Sequence, residues 1–167
     1  MNRNAEYWIE NLKMLPHPEG GFFKETYRSE ESISKEHLPQ RFSNNRNFGT
    51  AIFYLLENSQ TSKLHRLKSD EMFHFYDGCG MTIYIIDEDG KLIIKKLGLK
   101  IEAEEFPQVL LKAGVWFGAK VTEENSYCLA GCTVSPGFDF EDFEMGDRKK
   151  LVEMFPDHKK IIDDLTN

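Results

Sequence analysis

The feature that most constrains the fold is a series of short β-strand patterns that runs from residue 22 to residue 134 with no helical pattern between them. Turn sequences separate the strands, among them Ser69-Asp70, Asp77-Gly78 and an Asp-Gly pair at residues 89–90, which is typical of a hairpin. Many short strands at regular spacing are typical of a β-sandwich or a β-barrel. We therefore predict an all-β fold.

Helical patterns lie only at the two ends of this strand region. A short N-terminal helix is suited to capping by Asn4, and Asp147 is suited to cap a helix at 148–155. A last segment starts at Pro156 and ends near Leu165, and a polar loop occupies residues 29–47. Strands are predicted at residues 22–28, 48–56, 63–67, 71–76, 81–86, 91–97, 108–111, 115–120 and 127–133. We predict one domain, residues 1–167, with a barrel core at about 22–134 and a helical tail at about 147–165.

Charge and hydropathy exclude two classes of partner. The formal net charge of −7 and the small size of the basic clusters, such as residues 148–150, argue against nucleic-acid binding, which needs a basic face. No apolar run approaches the roughly 20 residues that a membrane-spanning helix requires. The N-terminal residues lack the apolar centre of a signal peptide, so we expect a cytoplasmic protein with no membrane partner.

The most informative polar pattern lies between His65 and Gly78. His65 precedes a strand that begins with Glu71, and Gly78 closes that strand seven residues later. A second pattern follows at Ala113-Gly114-Val115-Trp116-Phe117. A histidine and a carboxylate on neighbouring strands of a barrel point to a pocket between them.

These residues resemble the two motifs of the cupin superfamily, whose members fold as double-stranded β-helix (jelly-roll) barrels. In the first motif His65 takes the first His position, Leu67 the second, and Glu71 and Gly78 keep their spacing. In the second motif Gly114 is kept. Lys112 stands in the Pro position there, and Phe117 in the His position.

The chain is similar in particular to the uncharacterised cupin-5 subfamily. Four blocks carry this similarity: HPEGGFFKETYRS at 17–29, LHRLKSDEMFHFYDG at 64–78, AGVW at 113–116 and GCTVSPGFDFEDFE at 131–144. The resemblance implies a jelly-roll barrel with a pocket, short flanking helices and a homodimer. It does not imply a particular reaction.

The resemblance also raises the question of a metal, because cupin centres commonly use three His and one Glu. Leu67 and Phe117 occupy two of those four positions, which leaves His65 and Glu71, fewer than the three protein ligands of a typical site. Strand alternation places His74 on the face opposite Glu71, so a set of His65, Glu71 and His74 requires a bulge. We expect no cofactor and keep this set as the metal-dependent alternative.

Our first functional hypothesis is an isomerase or epimerase that acts on a small polar molecule, such as a sugar or sugar nucleotide. His65 would act as base and Glu71 would orient it, as in metal-free cupin-like epimerases that pair a His base with a Tyr acid. Tyr27 and Tyr84 are the candidates for that Tyr. The alternatives are a non-catalytic module that binds or senses a small ligand, and a purely structural His65–Glu71 pair.

Further ligand-binding candidates come from two other strands and from His74. Alternation separates Glu25 and Tyr27 from Arg28, and the sequence leaves open which set faces the pocket. Facing inward, Arg28 would clamp a carboxylate or phosphate. Trp116 is a candidate for stacking on a ring, with a core position as the alternative. His17, His37 and His158 lie in polar surroundings, and we expect all three at the surface.

Overall fold

The computed structural model describes residues 3–58 and 60–166, within which three short α-helices flank fourteen β-strands. The helices are Ala5–Asn11 (α1), Arg148–Met154 (α2) and Lys159–Asp164 (α3). The strands are Leu15–Pro16 (β1), Phe22–Arg28 (β2), Ser32–Ile33 (β3), Arg46–Asn47 (β4), Thr50–Glu57 (β5), Ser62–Leu67 (β6), Asp70–Gly78 (β7), Met81–Ile86 (β8), Leu92–Leu97 (β9), Glu105–Phe106 (β10), Gln108–Leu111 (β11), Trp116–Val121 (β12), Tyr127–Ser135 (β13) and Phe143–Met145 (β14). Short 3-10 turns lie at Lys35–His37, Ile101–Ala103, Phe140–Asp142 and Pro156–His158.

Two six-stranded sheets form the barrel. One has the order β1-β2-β5-β13-β7-β11 and the other the order β10-β9-β8-β12-β6-β14, while β3 and β4 form a separate pair. Strands distant in sequence are neighbours in both sheets, and every pairing except that of β9 with β10 is antiparallel. The predicted all-β jelly-roll fold is confirmed.

The core lies between the two sheets because apolar residues alternate along their strands. On β7, Glu71 and Phe73 are buried while Met72 and His74 face outward. On β12, Phe117 is buried and pairs with His65 of β6. These inward residues pack together with a cluster of buried side chains that includes Tyr54, Leu56, Met81, Ile83, Ile85, Leu111 and Cys132.

Helices flank the strand region of the chain on both sides, as the sequence predicts. The Asn4 side chain accepts a hydrogen bond from the backbone N–H of Tyr7 at 3.0 Å and so caps α1. Asp147 caps α2 in the same way. Leu151 of α2 and Ile162 of α3 belong to a second buried cluster on the outside of the barrel. None of the helices in the described ranges combines the length and the apolar character needed to cross a bilayer.

The predicted polar loop at residues 29–47 is more ordered than its composition suggests. It contains the β3–β4 pair and one 3-10 turn. Arg46, near its end, is buried and binds Asp142 with two hydrogen bonds, from Nε at 2.6 Å and from an Nη at 2.7 Å. This ion pair fixes the loop to the segment that follows β13.

Candidate functional site

A cavity of about 220 Å³ lies inside the barrel, close to β2, β5, β6, β7 and β13. Its polar lining consists of His17, Glu19, Glu25, Arg28, Thr50, His65, Glu71 and Asp139. Its aromatic lining consists of Phe23, Tyr54, Phe73, Phe138, Phe140 and Phe143. A concave apolar site with a few convergent polar groups is the typical form of a small-molecule site.

His65 forms a pair with Glu19 inside this cavity. The His65 Nδ1 lies 2.7 Å from the backbone oxygen of Lys63, and because a carbonyl only accepts, Nδ1 carries a hydrogen. The Nε2 atom lies 3.0 Å from Oε2 of Glu19. This contact needs one proton between the two atoms. Its two forms are imidazolium with carboxylate and imidazole with carboxylic acid.

A tight turn places Glu19 against β6, where it contacts Ser62 and His65. The turn is closed by hydrogen bonds from the backbone N–H of His17 to Gly21 and from that of Gly20 to His17. Gly20 has φ +112°, and a Cβ there would lie 2.2 Å from the backbone oxygen of Thr61. Only glycine therefore permits this close approach.

The Glu19 carboxylate has two further neighbours, the Ser62 hydroxyl and the His17 ring. Its Oε1 accepts a hydrogen bond from the Ser62 hydroxyl at 3.0 Å. Its Oε2 lies 3.4 Å from Nδ1 of His17, and that nitrogen accepts the backbone N–H of Glu19. Burial lowers the pKa of His17, and the charge of Glu19 only partly opposes this effect. His17 is therefore a neutral ring with its hydrogen on Nε2.

Unlike an exposed glutamate, Glu71 favours its protonated form. It is 7 % exposed at the cavity wall. Burial is the main reason that its pKa rises to about 8, and the nearby charge of Glu19 raises it further. A hydrogen bond with the Cys132 thiol opposes this rise. Glu71 is therefore a neutral carboxylic acid at pH 7 and offers an O–H donor to the cavity.

Arg28 lines the cavity with its guanidinium bound to groups of the protein itself. Its Nε and Nη2 bind the two carboxylate oxygens of Glu25 at 3.1 and 2.7 Å. Its Nη1 binds Asn47 at 3.0 Å and the backbone oxygen of Phe138 at 2.9 Å. These hydrogen bonds, led by those to Glu25, raise the pKa of Arg28. The predicted clamp for an external carboxylate or phosphate is occupied by Glu25.

An aromatic segment covers one side of the cavity. Phe138, Phe140 and Phe143 contact one another at ring-centroid distances of 5.0 to 6.3 Å. Phe143 also lies against the His65 ring, at 5.3 Å between centroids. The buried Arg46–Asp142 ion pair anchors this segment, and β14 pairs with β6.

The structure brings together only part of the site that the sequence predicts. His65, Glu71 and Arg28 line the cavity, but Tyr27 is 56 % exposed and lies outside it. His74 faces outward, where it hydrogen-bonds Thr133 at 2.8 Å and Gln108 at 3.0 Å. The structure therefore places both residues outside this cavity. Strand alternation turns His74 away from it, and a register shift in β2 between Glu25 and Tyr27 turns Tyr27 away.

Trp116 and Tyr84 also lie outside the cavity. Trp116 is buried between the barrel and the C-terminal helices, with the guanidinium of Arg66 4.6 Å from its ring centroid. Tyr84 packs against the same cluster. Trp116 therefore has the core position that was the alternative to stacking on a ligand.

A metal centre of the usual cupin type does not fit these residues. Leu67 and Phe117 supply no donor atoms, and the Phe117 ring packs on His65 with 4.1 Å between centroids. The alternative set of His65, Glu71 and His74 is not assembled because His74 lies on the other face of β7. Within residues 3–58 and 60–166, no three His, Cys, Asp or Glu side chains are arranged to hold a metal ion.

The sequence analysis did not predict two residues of the site. The carboxylate that contacts His65 is Glu19 rather than the predicted Glu71, and His17 lines the cavity instead of the surface. The signal in the sequence is the HPEGG block, in which two glycines with positive φ follow the carboxylate. Polar residues before a glycine pair are typical of an ordinary turn. The local sequence does not indicate that this turn packs against β6 and places Glu19 at the cavity.

Comparisons with known proteins agree with the fold and extend over most of the chain. The family model Cupin_5, described as Cupin superfamily (DUF985), matches residues 6–146. The uncharacterized protein YML079W from Saccharomyces cerevisiae is 30 % identical over 143 residues, which cover 80 % of this chain and 71 % of the relative.

Two similar solved structures have the same overall shape. Protein SO0799 from Shewanella oneidensis is 37 % identical with a TM-score of 0.90, and the match covers 99 % of each chain. A hypothetical protein from Leishmania major is 32 % identical with a TM-score of 0.89, over 98 % of this chain and 99 % of that one.

Proposed function

The chain belongs to the Cupin_5 (DUF985) family of the cupin superfamily, and we propose that its barrel binds a small polar molecule and transfers protons on it, as isomerases and epimerases do. One observation carries this proposal. A single cavity holds a neutral carboxylic acid, Glu71, and a histidine–carboxylate pair, His65–Glu19. Titratable groups whose environments favour opposite protonation states are typical of acid–base catalysis.

The proposed reaction is proton transfer next to a carbonyl group. Glu71 donates its proton to the carbonyl oxygen of the substrate, and the His65–Glu19 pair accepts a proton from the adjacent carbon. The pair then holds two protons, as imidazolium with carboxylic acid, and the substrate is an enediol. The pair then returns one proton to carbon: delivery to the former carbonyl carbon gives an isomer, and delivery to the opposite face of the original carbon gives an epimer. In the same step Glu71 recovers its proton from the enediol hydroxyl that becomes the new carbonyl group.

The size of the cavity supports a small substrate. Its volume of about 220 Å³ lies below the roughly 300–1,000 Å³ of pockets for drug-sized ligands. A sugar of about monosaccharide size or smaller is therefore the favoured substrate, and the cavity is too small to enclose a whole sugar nucleotide.

A non-catalytic binding module is the second candidate. The six aromatic rings that line the cavity favour it, because aromatic walls bind the apolar faces of small molecules without any reaction. In that case Glu71 and Glu19 would only orient the ligand. Neither proposed function requires a resident metal. Elemental analysis of protein purified without chelators tests whether the protein holds one.

Deuterium exchange separates the two candidates. Uncharged three- to six-carbon aldoses and ketoses are first screened for binding by ligand-observed NMR, and those that bind are incubated with the protein in D₂O. We expect deuterium at the carbon next to the carbonyl group, with loss of this signal in Glu19→Gln, His65→Gln and Glu71→Gln.

The matched control is Glu102→Gln, an exposed residue of a 3-10 turn, which should exchange at the wild-type rate. Binding without any exchange would favour the binding module. Exchange that all three cavity variants retain would refute the proposed roles.

A further inference from the structure

We infer that the cavity selects an uncharged ligand with hydroxyl or carbonyl groups and excludes small anions, because its guanidinium is already bound to a carboxylate of the same strand. This inference rests on the proposed function only for the claim that a ligand enters the cavity. It concerns the charge of that ligand, which the acid–base roles of Glu71 and His65 leave open.

The first argument is the donor count at Arg28. A guanidinium has five N–H donors, and Arg28 makes four hydrogen bonds to Glu25, Asn47 and Phe138. The pair with Glu25 uses both carboxylate oxygens, which is the geometry that would otherwise bind an external carboxylate or phosphate. Among the described residues that line the cavity, Arg28 is the only Lys or Arg. An anion would therefore have to displace Glu25.

The second argument is the charge balance of the lining. Glu25 is neutralised by Arg28, and Glu19 shares its proton with His65. Glu71 is neutral at pH 7. Asp139 then remains as a carboxylate whose Oδ1 accepts the backbone N–H of Glu141. An anion would enter a largely apolar space next to carboxylates, where the loss of hydration is not compensated.

The third argument is that the free polar groups suit a neutral ligand. Glu71 offers an O–H donor, and His17 offers its Nε2–H because its Nδ1 accepts the backbone N–H of Glu19. Hydroxyl and carbonyl oxygens accept such hydrogen bonds without carrying a charge. Phe23 and Phe138 provide apolar walls for the C–H faces of such a molecule.

The test is whether freeing Arg28 creates anion binding. Glu25→Gln removes the charge that holds the guanidinium, and Glu25 is 43 % exposed, so we expect the variant to fold. Wild-type protein should bind neutral probes such as xylose and erythrulose, and acetate, oxalate and inorganic phosphate should not compete. The Glu25→Gln variant should bind oxalate at least about tenfold more tightly than the wild type, the gain expected from about 1.4 kcal/mol of charged hydrogen bonding.

The matched control is Glu144→Gln. It frees Arg66, which pairs with Glu144 at 2.7 Å, but neither residue lines the cavity. This variant should gain no oxalate binding that competes with the neutral probes.

Three results would overturn the inference. One is competition of oxalate or phosphate with the neutral probes in the wild type, and another is the absence of any neutral ligand. The third is unchanged oxalate binding in Glu25→Gln. Neutral binding without deuterium exchange would instead refute the proposed function and leave this inference standing.

Discussion

The replacement of Glu71 by Gln should change how the stability of the protein depends on pH. Gln has nearly the same shape as the neutral acid, and its amide oxygen can still accept a hydrogen bond from the Cys132 thiol. Glu71 has a pKa of about 8 in the folded protein against a reference value of 4.5, mainly because of burial. The folded state therefore binds more protons than the unfolded state between these two pH values, so stability falls as pH rises.

The magnitude follows from the same two values. Each pH unit between 4.5 and about 8 lowers the free energy of unfolding by about 1.4 kcal/mol. The loss is therefore about 3 kcal/mol at pH 7 and about 5 kcal/mol above pH 8, relative to pH 4. Gln does not titrate, so the variant does not lose this stability. The free energy of unfolding of Glu71→Gln minus that of the wild type should therefore increase by these amounts as the pH rises from 4.

Urea unfolding at pH values from 4 to 9 measures this difference. The subtraction removes the carboxylates that do not interact with Glu71, because these titrate alike in both proteins. Glu102→Gln is the control because Glu102 is exposed, and its difference from the wild type should not change with pH. A difference between Glu71→Gln and the wild type that varies by less than about 1 kcal/mol over this range would refute the assignment of Glu71 as a buried neutral acid.

Three further predictions concern the stability of the fold and the oligomeric state. Arg46→Met leaves the buried Asp142 carboxylate without its main partner, so urea unfolding should show a loss of about 3–5 kcal/mol; Arg66→Met, which breaks an exposed pair, should cost about 1 kcal/mol or less. Gly20→Ala forces a Cβ against the Thr61 backbone oxygen at positive φ, so thermal unfolding should occur well below the wild-type temperature, and an unchanged midpoint would contradict the described turn. The homodimer implied by the family resemblance stays a prediction, for which sedimentation equilibrium should give about twice the chain mass of 19.4 kDa, and a mass equal to one chain would refute it.

The strands and the inward direction of Glu71 were predictable because both depend on local patterns. Alternating apolar residues and turn sequences define β5, β7, β8 and β13 to within a few residues. The same alternation places Glu71 with Phe73 and separates both from His74, as the structure has them. A period of two residues needs no knowledge of distant contacts.

The partners of the site residues were not predictable because they depend on distant segments. His65 contacts Glu19 from 46 positions earlier, across a turn whose path depends on the packing of Gly20 against Thr61. The prediction of Arg28 as an anion clamp did not include the contact with Glu25, which lies on the same strand and occupies the guanidinium. Strand alternation predicts on which face of its sheet Trp116 lies. It does not show that the C-terminal helices cover that face.

The most direct test of the account is the protonation state of Glu71, which can be followed by NMR of protein labelled with ¹³C at the glutamate side-chain carboxyl carbon. The Glu71 resonance is assigned by its absence in Glu71→Gln, and the wild-type spectrum is then recorded across a pH titration. The account predicts a chemical-shift transition near pH 8 and a protonated carboxyl group at pH 7. A transition near the reference value of 4.5 would contradict it, because Glu71 would then be a carboxylate at pH 7 and could not donate a proton to a ligand.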